Sequence, residues 1–418
     1  MTVITKQKGA DNPSGPLHLP TLLLIVFIDF IGIGALIPIL PYTVIDELGY
    51  SASVMTALLA CFSLAMFIGN PILGRMSDKV GRKPVLMGSL AVATLAHLTF
   101  AFSNHIILLF VSRIIAGLAA GNIGVIQAII ADNTSPDSRA KYMGLMGASI
   151  GAGFVFGPAL GGLLSGIGGG PLHQAPFALA GLFTLLAFFL CLRLPFVAPV
   201  SLASDIGQKQ SSMRRLIQLF QGPLGLFALS FFLLNLSFSQ VEAAFVLLLK
   251  DLFYYEASDT GWLFTYVGIC IIIVEGGLIG LAVRRLGETG TIIGGASMLT
   301  AGQFATALMA AGLFMAGMMP LAVVIICTTM ICVGFAFTNP SLSSAASKAA
   351  RADEMGGALG LVQGFGSLGQ VIGLAAAGPL YAAGSGQLSF GVGGTISLLL
   401  LLTIFVIAAK TPKIADTS

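Results

Sequence analysis

The sequence predicts an all-α integral membrane protein with twelve transmembrane helices in two pseudo-symmetric six-helix bundles. Three observations carry this prediction: the apolar composition, the spacing of the apolar runs and the placement of the basic residues. Hydrophobic residues make up 56% of the 418 residues and charged residues only 9%, whereas a soluble domain carries about 25% charged residues. The solvent of this chain is therefore lipid, and its length allows about twelve spans of roughly 20 residues.

Polar clusters divide the chain into six apolar runs, a long hydrophilic stretch and six further runs. The runs lie near residues 21–44, 53–73, 84–103, 106–131, 142–165, 175–196, 224–249, 261–283, 291–311, 319–341, 356–383 and 390–409. The first is long enough to be a retained helix rather than a cleaved signal peptide. The predicted organisation is a tail at 1–20, a bundle at 21–198, a linker at 199–222, a bundle at 223–409 and a tail at 410–418.

The basic residues predict the orientation of these spans. Eighteen of the twenty lysines and arginines fall in the tails or in even-numbered connections: Lys6, Lys8, Arg75, Lys79, Arg82, Lys83, Arg139, Lys141, Arg193, Lys209, Arg214, Arg215, Arg284, Arg285, Lys348, Arg351, Lys410 and Lys413. Lys250 lies in an odd-numbered connection, and Arg113 lies inside the fourth run. The positive-inside rule therefore predicts that both termini and the linker are cytoplasmic.

The two halves also repeat each other. GRMSDKVGRK after the second run aligns with GLAVRRLGET after the eighth, at an offset of 206 residues. Gly74 and Gly81 coincide with Gly280 and Gly287, while Asp78 and Arg82 coincide with Arg284 and Glu288, so that two charges are inverted. A second echo pairs GFVFGP at 153–158 with GLAAAGP at 373–379. Duplicated halves are typical of transporters whose binding site lies at the membrane midplane between the repeats.

Four charges lie inside apolar runs: Asp29, Arg113, Glu242 and Glu275. Each costs roughly 2.5–3.5 kcal/mol or more at a helix centre, so such residues usually face a cavity and act there. Asp29 lies about eight residues into its span, or roughly 12 Å deep. The amides Asn122, Gln127, Asn235, Gln240 and Asn339 are candidates for lining the same cavity. Structural ion pairs and helix–helix hydrogen bonds are the alternative interpretation of these residues.

Four stretches, taken together, resemble the major facilitator superfamily, and within it the twelve-span drug–proton antiporters that include the tetracycline efflux pumps. They are DFIGIGALIPILP (29–41), GRMSDKVGRKP (74–84), RIIAGLAAGNIGVIQAIIAD (113–132) and GASIGAGFVFGPALGG (147–162). The resemblance implies a cytoplasmic gate motif at Gly74, Asp78, Gly81, Arg82 and Lys83, with Asp78 holding the outward-open state. It also implies an antiporter helix with Gly147, Gly151, Gly157, Pro158 and Gly161, where four-residue glycine spacing admits a close neighbour and Pro158 removes a hydrogen bond.

The resemblance further implies that Asp29 and Arg113 couple protons to substrate, in the plasma (bacterial inner) membrane. Glu275 and Glu242 have no such match and are coupling candidates because they are charges inside apolar runs, with snorkelling to the outer interface as the alternative for Glu242. Two positions depart from the tetracycline pumps: Ala96, followed by His97, aligns with an acid, and Ile271 aligns with a histidine. We therefore expect another amphipathic substrate. The partners expected are a small molecule, protons and lipid, for a monomer that binds no nucleic acid, cofactor or metal.

Two alternatives remain at this stage. The first is proton-coupled symport of a metabolite on the same fold, which the glycine-rich fifth run disfavours. The second is a membrane enzyme or a sensor. The sequence contains no Gly-x-Ser-x-Gly stretch, no paired histidines at metal-binding spacing and no phosphate-binding glycine loop, so this class is not favoured.

Overall fold

The computed structural model describes residues 18–134, 136–165, 171, 173–194, 223–313, 320–349 and 355–410. The predicted linker at 199–222 and most of both predicted tails lie outside these residues. All regular structure within the described ranges is helical, as the sequence predicts.

The first half comprises α1 (His18–Gly34), α2 (Ala52–Val80), α3 (Arg82–Ala101), α4 (Ile106–Ala120), α5 (Ile123–Asp132), α6 (Pro136–Leu164) and α7 (Gln174–Leu192). A π-helical segment, Tyr42–Glu47, lies between α1 and α2. Helix α1 packs on α6 and α7, while α2 and α3 both pack on α4. The basis of these pairings is close backbone approach: a methyl group on Gly69 of α2 would lie 2.9 Å from the Cα of Leu118 in α4.

The second half comprises α8 (Pro223–Phe253), α9 (Ala257–Ile273), α10 (Ile279–Ala310), α11 (Pro320–Ala349) and α12 (Met355–Lys410), with a π-helical segment at Val274–Leu278. Helix α12 packs along α8, and α10 packs on α11 and α12. Glycines again form the crossing of α10 and α11, where a methyl group on Gly334 would lie 2.7 Å from the Gly295 carbonyl oxygen.

Nine stretches among the described residues are long and apolar enough to cross a membrane, and Leu19–Gly34 is a shorter apolar helix. The chain is thus an all-helical, multi-pass protein, although the predicted number of twelve spans is not fixed by these helices. The two longest stretches, Ala257–Ala310 and Val362–Ala409, are interrupted by non-helical backbone, at Gly287 in one and at Gly384 and Ser385 in the other.

The two halves meet through α6 against α9 and through α2 against α12. We call the end of the molecule that carries the α2–α3 turn and Gly287 the near end, and the end that carries Tyr42–Glu47 and the α8–α9 connection the far end. At the far end a methyl group on Gly378 would lie 2.6 Å from the Cα of Ser53 in the other half. At mid-depth Phe67 faces Gly364, where the corresponding separation is 3.8 Å.

The near end is open by comparison. Side chains on the near half of α2, namely Ile72, Met76 and Val80, are exposed. The glycines of both halves at this depth have open space around them: a methyl group would meet no atom within 4 Å at Gly74, Gly144, Gly147, Gly151, Gly276, Gly277 or Gly280. Within the described residues, the halves are therefore in contact at the far end and separated at the near end.

The sequence repeat has a direct counterpart in backbone conformation. Gly81 ends α2 with φ 108°, and Gly287, its partner in the repeat, interrupts α10 with φ 72° and ψ 169°. Both positions lie in backbone regions that favour glycine. The two turns thus reverse the chain at the near end of each half by the same means.

Replacing Gly287 with alanine forces a Cβ into a region used almost only by glycine, at a cost of about 1–3 kcal/mol. We expect Gly287→Ala to lower the thermal unfolding midpoint of the purified protein in detergent. Gly280→Ala is the matched control, because it lies in regular helix with open space around it, and its midpoint should be unchanged or slightly raised. Equal midpoints for both variants would contradict this account of the turn.

Candidate functional site

Asp29 is buried on α1, with only 5% of its surface exposed. Its carboxyl lies close to the side chain of Asn122, which lies at the turn between α4 and α5. The Asn122 Nδ2 also donates to the Ser89 hydroxyl at 3.2 Å, whereas its Oδ1 has no partner within the described part of the chain. Two of the residues predicted from sequence, Asp29 and Asn122, are therefore brought together in the first half.

Arg113 occupies a different place, enclosed by aromatic rings. Its guanidinium carbon lies 4.7 Å from the ring centroid of Phe100, 5.2 Å from that of Phe177 and 5.8 Å from that of Phe62. One guanidinium nitrogen lies 3.3 Å from His97 Nδ1. Because a guanidinium only donates hydrogen bonds, that histidine nitrogen is the acceptor and its ring is neutral.

This arrangement leaves Arg113 without a carboxylate. Arg113 is 4% exposed, and across the residues that the structure describes it forms no ion pair, with Asp29 or with any other acid. Attraction to the ring faces, which strengthens when the cation is desolvated, takes the place of a counter-ion.

The second half has its own polar cluster between α8 and α12. Gln370 donates to the Glu242 carboxylate at 3.2 Å, and Gln240 donates to the Gly373 carbonyl oxygen at 2.9 Å. Asn235 donates to the carbonyl of Phe231 in its own helix at 2.9 Å. Among the predicted residues, Asn235, Gln240 and Glu242 thus lie on one helix. Gln370 was not among the residues predicted from sequence, although it too is an amide inside an apolar run.

The other predicted residues lie apart from these clusters. Glu275 is exposed within the π-helical segment Val274–Leu278, followed by Gly276 and Gly277. Gln127 is exposed on α5, and Asn339 is half-buried on α11.

The predicted gate motif is held together within the first half. Arg82 donates to Asp132 Oδ2 at 3.1 Å and to the Ser77 hydroxyl at 2.7 Å, and it also pairs with Asp78. Lys83 donates to the carbonyl of Leu192 at 2.8 Å and so caps the end of α7. The predicted basic partner of Asp78 is therefore Arg82 in this conformation.

The corresponding turn of the second half carries the inverse charges. Glu288, which aligns with Arg82, accepts from Lys348 near the end of α11 at 3.0 Å. Arg82 bridges to Asp132 at the end of α5 in the same manner. An ion pair between a helix start and a neighbouring helix end is thus present in both halves, with the acid and the base exchanged.

The glycines of helix α6 allow close packing against two neighbouring helices, α1 and α9. A methyl group on Gly157 would lie 2.7 Å from the Ile31 carbonyl oxygen and 2.8 Å from the Ala35 nitrogen, and Gly161 is similarly close to Ala35. The stripe that contains Gly157 and Gly161 therefore packs on α1 and the residues that follow it. Pro158 approaches both Gly34 and Gly261, whereas a methyl group on Gly147 or Gly151 would meet no atom within 4 Å.

The far end is sealed by polar contacts between the halves. The Tyr42 hydroxyl donates to the Tyr255 carbonyl at 2.7 Å and lies 2.9 Å from the Thr260 hydroxyl. Lys250 pairs with Asp46 and lies 5.9 Å from the Tyr42 ring centroid. Sequence reasoning did not assign this seal, although Lys250 was the one basic residue in an odd-numbered connection.

Together these features describe a molecule with titratable groups in each half and a separation between the halves at one end. Asp29 and Glu242 each contact an amide that can donate a hydrogen bond to a carboxylate or accept one from a carboxylic acid. Such groups are suited to bind and release protons or a cation as access to water changes. Nothing in the described residues forms a cluster of ligands for a metal ion.

Comparison with known proteins identifies relatives over most of the chain. Residues 22–358 match the family model of the Major Facilitator Superfamily. The chain is 33% identical over 279 residues to the class G tetracycline resistance protein of Vibrio anguillarum, covering 65% of this chain and 70% of that protein. It is 30% identical over 369 residues to multidrug resistance protein 1 of Bacillus subtilis, covering 87% and 89% of the two chains.

Solved structures share the fold at lower identity. The D-xylose–proton symporter is 16% identical with a TM-score of 0.76, covering 93% of this chain and 97% of that chain. The human organic anion transporter MFSD10 is 22% identical with a TM-score of 0.67, covering 92% and 98%.

The far-end seal predicts the effect of removing one hydroxyl. Tyr42→Phe keeps the ring but loses both hydrogen bonds to the other half, so the distance between spin labels at Ser51 and Tyr254 should lengthen or broaden. Tyr381→Phe is the control, since that hydroxyl bonds Asp251 at 2.6 Å within the second half. If the two variants change the distance distribution equally, the seal does not depend on Tyr42.

Proposed function

Since this chain belongs to the major facilitator superfamily, and is thus a membrane transporter rather than an enzyme, we propose that it is a proton-coupled antiporter that exports an amphipathic small molecule. The observation that carries this proposal is the buried Asp29 carboxyl against Asn122, with no cation paired to it among the described residues. An unpaired buried carboxyl is stable when it binds a proton or a positively charged molecule, and exchange of the two at one group is the minimum that antiport requires.

Asn122 is suited to support both states of Asp29. Its Nδ2 donates to an ionised carboxylate, and its unpartnered Oδ1 accepts a hydrogen bond from a protonated one. Asn122 therefore offers one hydrogen-bonding atom to each protonation state of Asp29. Arg113, enclosed by rings, supports the packing of α2, α3 and α7 around the site and acts on coupling from a distance.

Aromatic residues that neighbour Asp29 along α1 pack on α6, and they favour an amphipathic cation or zwitterion as the substrate. Phe30 packs edge-on against Phe154 with centroids 5.4 Å apart, and Phe27 packs similarly against Phe156 at 6.0 Å. Phe154 and Phe156 are both exposed. Ring faces near a carboxyl attract lipophilic cations. The names of the relatives, tetracycline and multidrug resistance proteins, fit export. Ala96 and Ile271 replace two polar residues of the tetracycline pumps, so we do not propose tetracycline itself.

The proposal includes the topology. Twelve spans follow if α4 and α5 form one span, if Ala257–Ala310 is divided at Gly287 and if Val362–Ala409 is divided at Gly384. The near end then faces the cytoplasm, with both termini and the linker at 199–222 on that side of a bacterial inner membrane. The transporter works as a monomer, with a small molecule and protons as its partners and with no cofactor.

The alternative is symport of a metabolite by the same protein, and the direction of proton movement separates the two. Purified protein in vesicles with an imposed proton gradient should accumulate a fluorescent lipophilic cation against its gradient, with protons moving the opposite way. Protons moving with the substrate would establish symport instead.

Asp29→Asn mimics a permanently protonated carboxyl, so this variant should express normally but lose accumulation driven by the proton gradient. Asp29→Glu keeps a titratable group and should retain part of the activity. Asn133→Asp is a useful control, because it adds an acid at the end of α5 outside the site. If Asp29→Asn still concentrates the substrate when a proton gradient is the only energy source, Asp29 is not the coupling group.

The orientation is tested by labelling single cysteines in intact cells. Ser212→Cys in the linker should react only with reagents that enter the cytoplasm, and Asn104→Cys between α3 and α4 should react with impermeant reagents from outside. The opposite pattern would reverse the assignment of both ends.

A further inference from the structure

Helices α6 and α9 form the contact between the halves in a regular register. A methyl group on Gly261 would lie 2.8 Å from the Gly162 Cα, and a methyl group on Gly268 would lie 2.7 Å from the Val155 Cβ. The step from Gly162 to Val155 is seven residues toward the near end, and so is the step from Gly261 to Gly268. Seven residues are about two helical turns, so each step stays on the same face of its helix.

One further step of seven residues leads to Ala148 on α6 and to Glu275 beyond α9. Both are exposed, and the neighbouring Gly147 and Gly276 have no atom within 4 Å of a methyl group placed on them. The face of α6 and the face of α9 that touch at the far end therefore continue to the near end without contact. Continuity with an existing interface identifies each face as the partner of the other.

The near part of each face has the small residues needed for close approach. On α6 these are Gly144, Gly147, Ala148 and Gly151, and on the other side Gly276 and Gly277 follow Glu275 in π-helical backbone. A π-helical turn inside a helix is frequently found at functional sites. Packing of two such faces needs little side-chain rearrangement.

We propose that the segment Glu275–Gly277 docks on the face formed by Gly144, Gly147, Ala148 and Gly151 when the near end closes, and that closure requires the Glu275 carboxyl to be neutral. This inference rests on the proposed function in one respect: it takes the protein to alternate between a state that is open at the near end and a state that is open at the far end. It assigns Glu275 as a positioning residue that acts through closure, separate from the carboxyl that contacts substrate.

The charge requirement follows from the surface that Glu275 meets. From Tyr142 to Leu164, α6 contains no acidic or basic residue, and Tyr142 is the one titratable side chain of that stretch. The nearest basic residue of α6, Lys141, lies seven positions, or about 10 Å, from Ala148. A carboxylate carried into that face would lose water and gain no cation, which is costly. A protonated carboxyl would enter with a far smaller penalty. An ionised Glu275 therefore holds the near end open until it is neutralised.

Other titratable groups lie on the elements that pack around the Glu275 segment. They are Asp259, Tyr266 and Cys270 on α9, Arg284, Arg285 and Glu288 on α10, and Cys327, Cys332 and Lys348 on α11. Glu288 and Lys348 are already paired with each other at 3.0 Å. Glu275 forms no ion pair with any of these groups in the described structure.

Cysteine cross-linking tests the docking surface in the full-length protein. The background has serine in place of the native Cys61, Cys191, Cys270, Cys327 and Cys332. Gly147→Cys with Gly276→Cys is the matching pair in the extended register and should cross-link with a short bifunctional reagent. Ile150→Cys with Gly276→Cys is the control, because Ile150 packs inside the first half, and it should not cross-link. Equal yields from both pairs, or no yield from the matching pair at any pH, would overturn the docking surface.

The charge requirement is tested by the pH profile of the matching pair. Its yield should rise roughly fivefold or more as the pH falls from about 8.5 to about 5.5. Glu275→Gln should give a high yield that hardly changes with pH, whereas Glu275→Asp should restore the pH dependence. Glu256→Gln, which removes an exposed carboxyl at the far end of α9, should leave the profile unchanged. A pH dependence that survives in Glu275→Gln would exclude Glu275 as the group that controls closure.

This cross-linking measurement needs no substrate, so its result is independent of the transport assay. A protein that cross-links as expected but moves no lipophilic cation would contradict the proposed export and support the docking. A protein that exports the lipophilic cation but shows no near-end cross-link would contradict the docking and support the proposed export.

Discussion

Close approach of helix backbones is the constraint on which this structure depends. In lipid the hydrophobic effect gives no attraction between helices, so association relies on van der Waals packing and on hydrogen bonds between helices. Gly69 against Leu118, Gly157 against Ile31 and Gly162 against Gly261 each leave no room for a methyl group. The same absence of side chains lets two faces separate without leaving large groups exposed. The glycines therefore provide both the tight contacts and the surfaces that remain apart.

Much of the fold could be predicted from the sequence because its determinants are local. Hydropathy identifies the helices, and the aligned Gly81 and Gly287 both adopt positive φ, as a turn made by a residue without a Cβ allows. The separation of the near end could not be predicted, because it concerns the balance between two arrangements of the same helices. Two π-helical segments were also missed, since one inserted residue in a helical turn leaves no periodic signal over so short a stretch.

The candidate site was only partly accessible from the sequence. Asp29 could be singled out as the one charge in its run, but its partner Asn122 lies 93 positions away in the chain and is brought close by packing of α1 against the bundle. Arg113 looked like a natural counter-ion for an acid, yet its nearest groups are three aromatic rings and His97. An isolated arginine in an apolar run does not reveal whether a carboxylate or a ring will face it. The turns at Gly81 and Gly287 are easier to interpret. Arg82 in one half aligns with Glu288 in the other, and each forms an ion pair with the end of a neighbouring helix, so the same interaction is present in both halves with acid and base exchanged.

The contact at Gly162 and Gly261 has a mechanical consequence. Gly162 and Gly144 are 18 positions apart on α6, which gives a lever arm of about 27 Å at 1.5 Å per residue. Tilting that arm by roughly 20° about the glycine contact displaces its tip by about 9 Å, nearly the width of a helix with its side chains. Because the fulcrum has no side chain on either surface, such a tilt does not drive bulky groups into each other. A modest tilt about the contact of Gly162 with Gly261 thus opens a passage as wide as a drug-sized molecule.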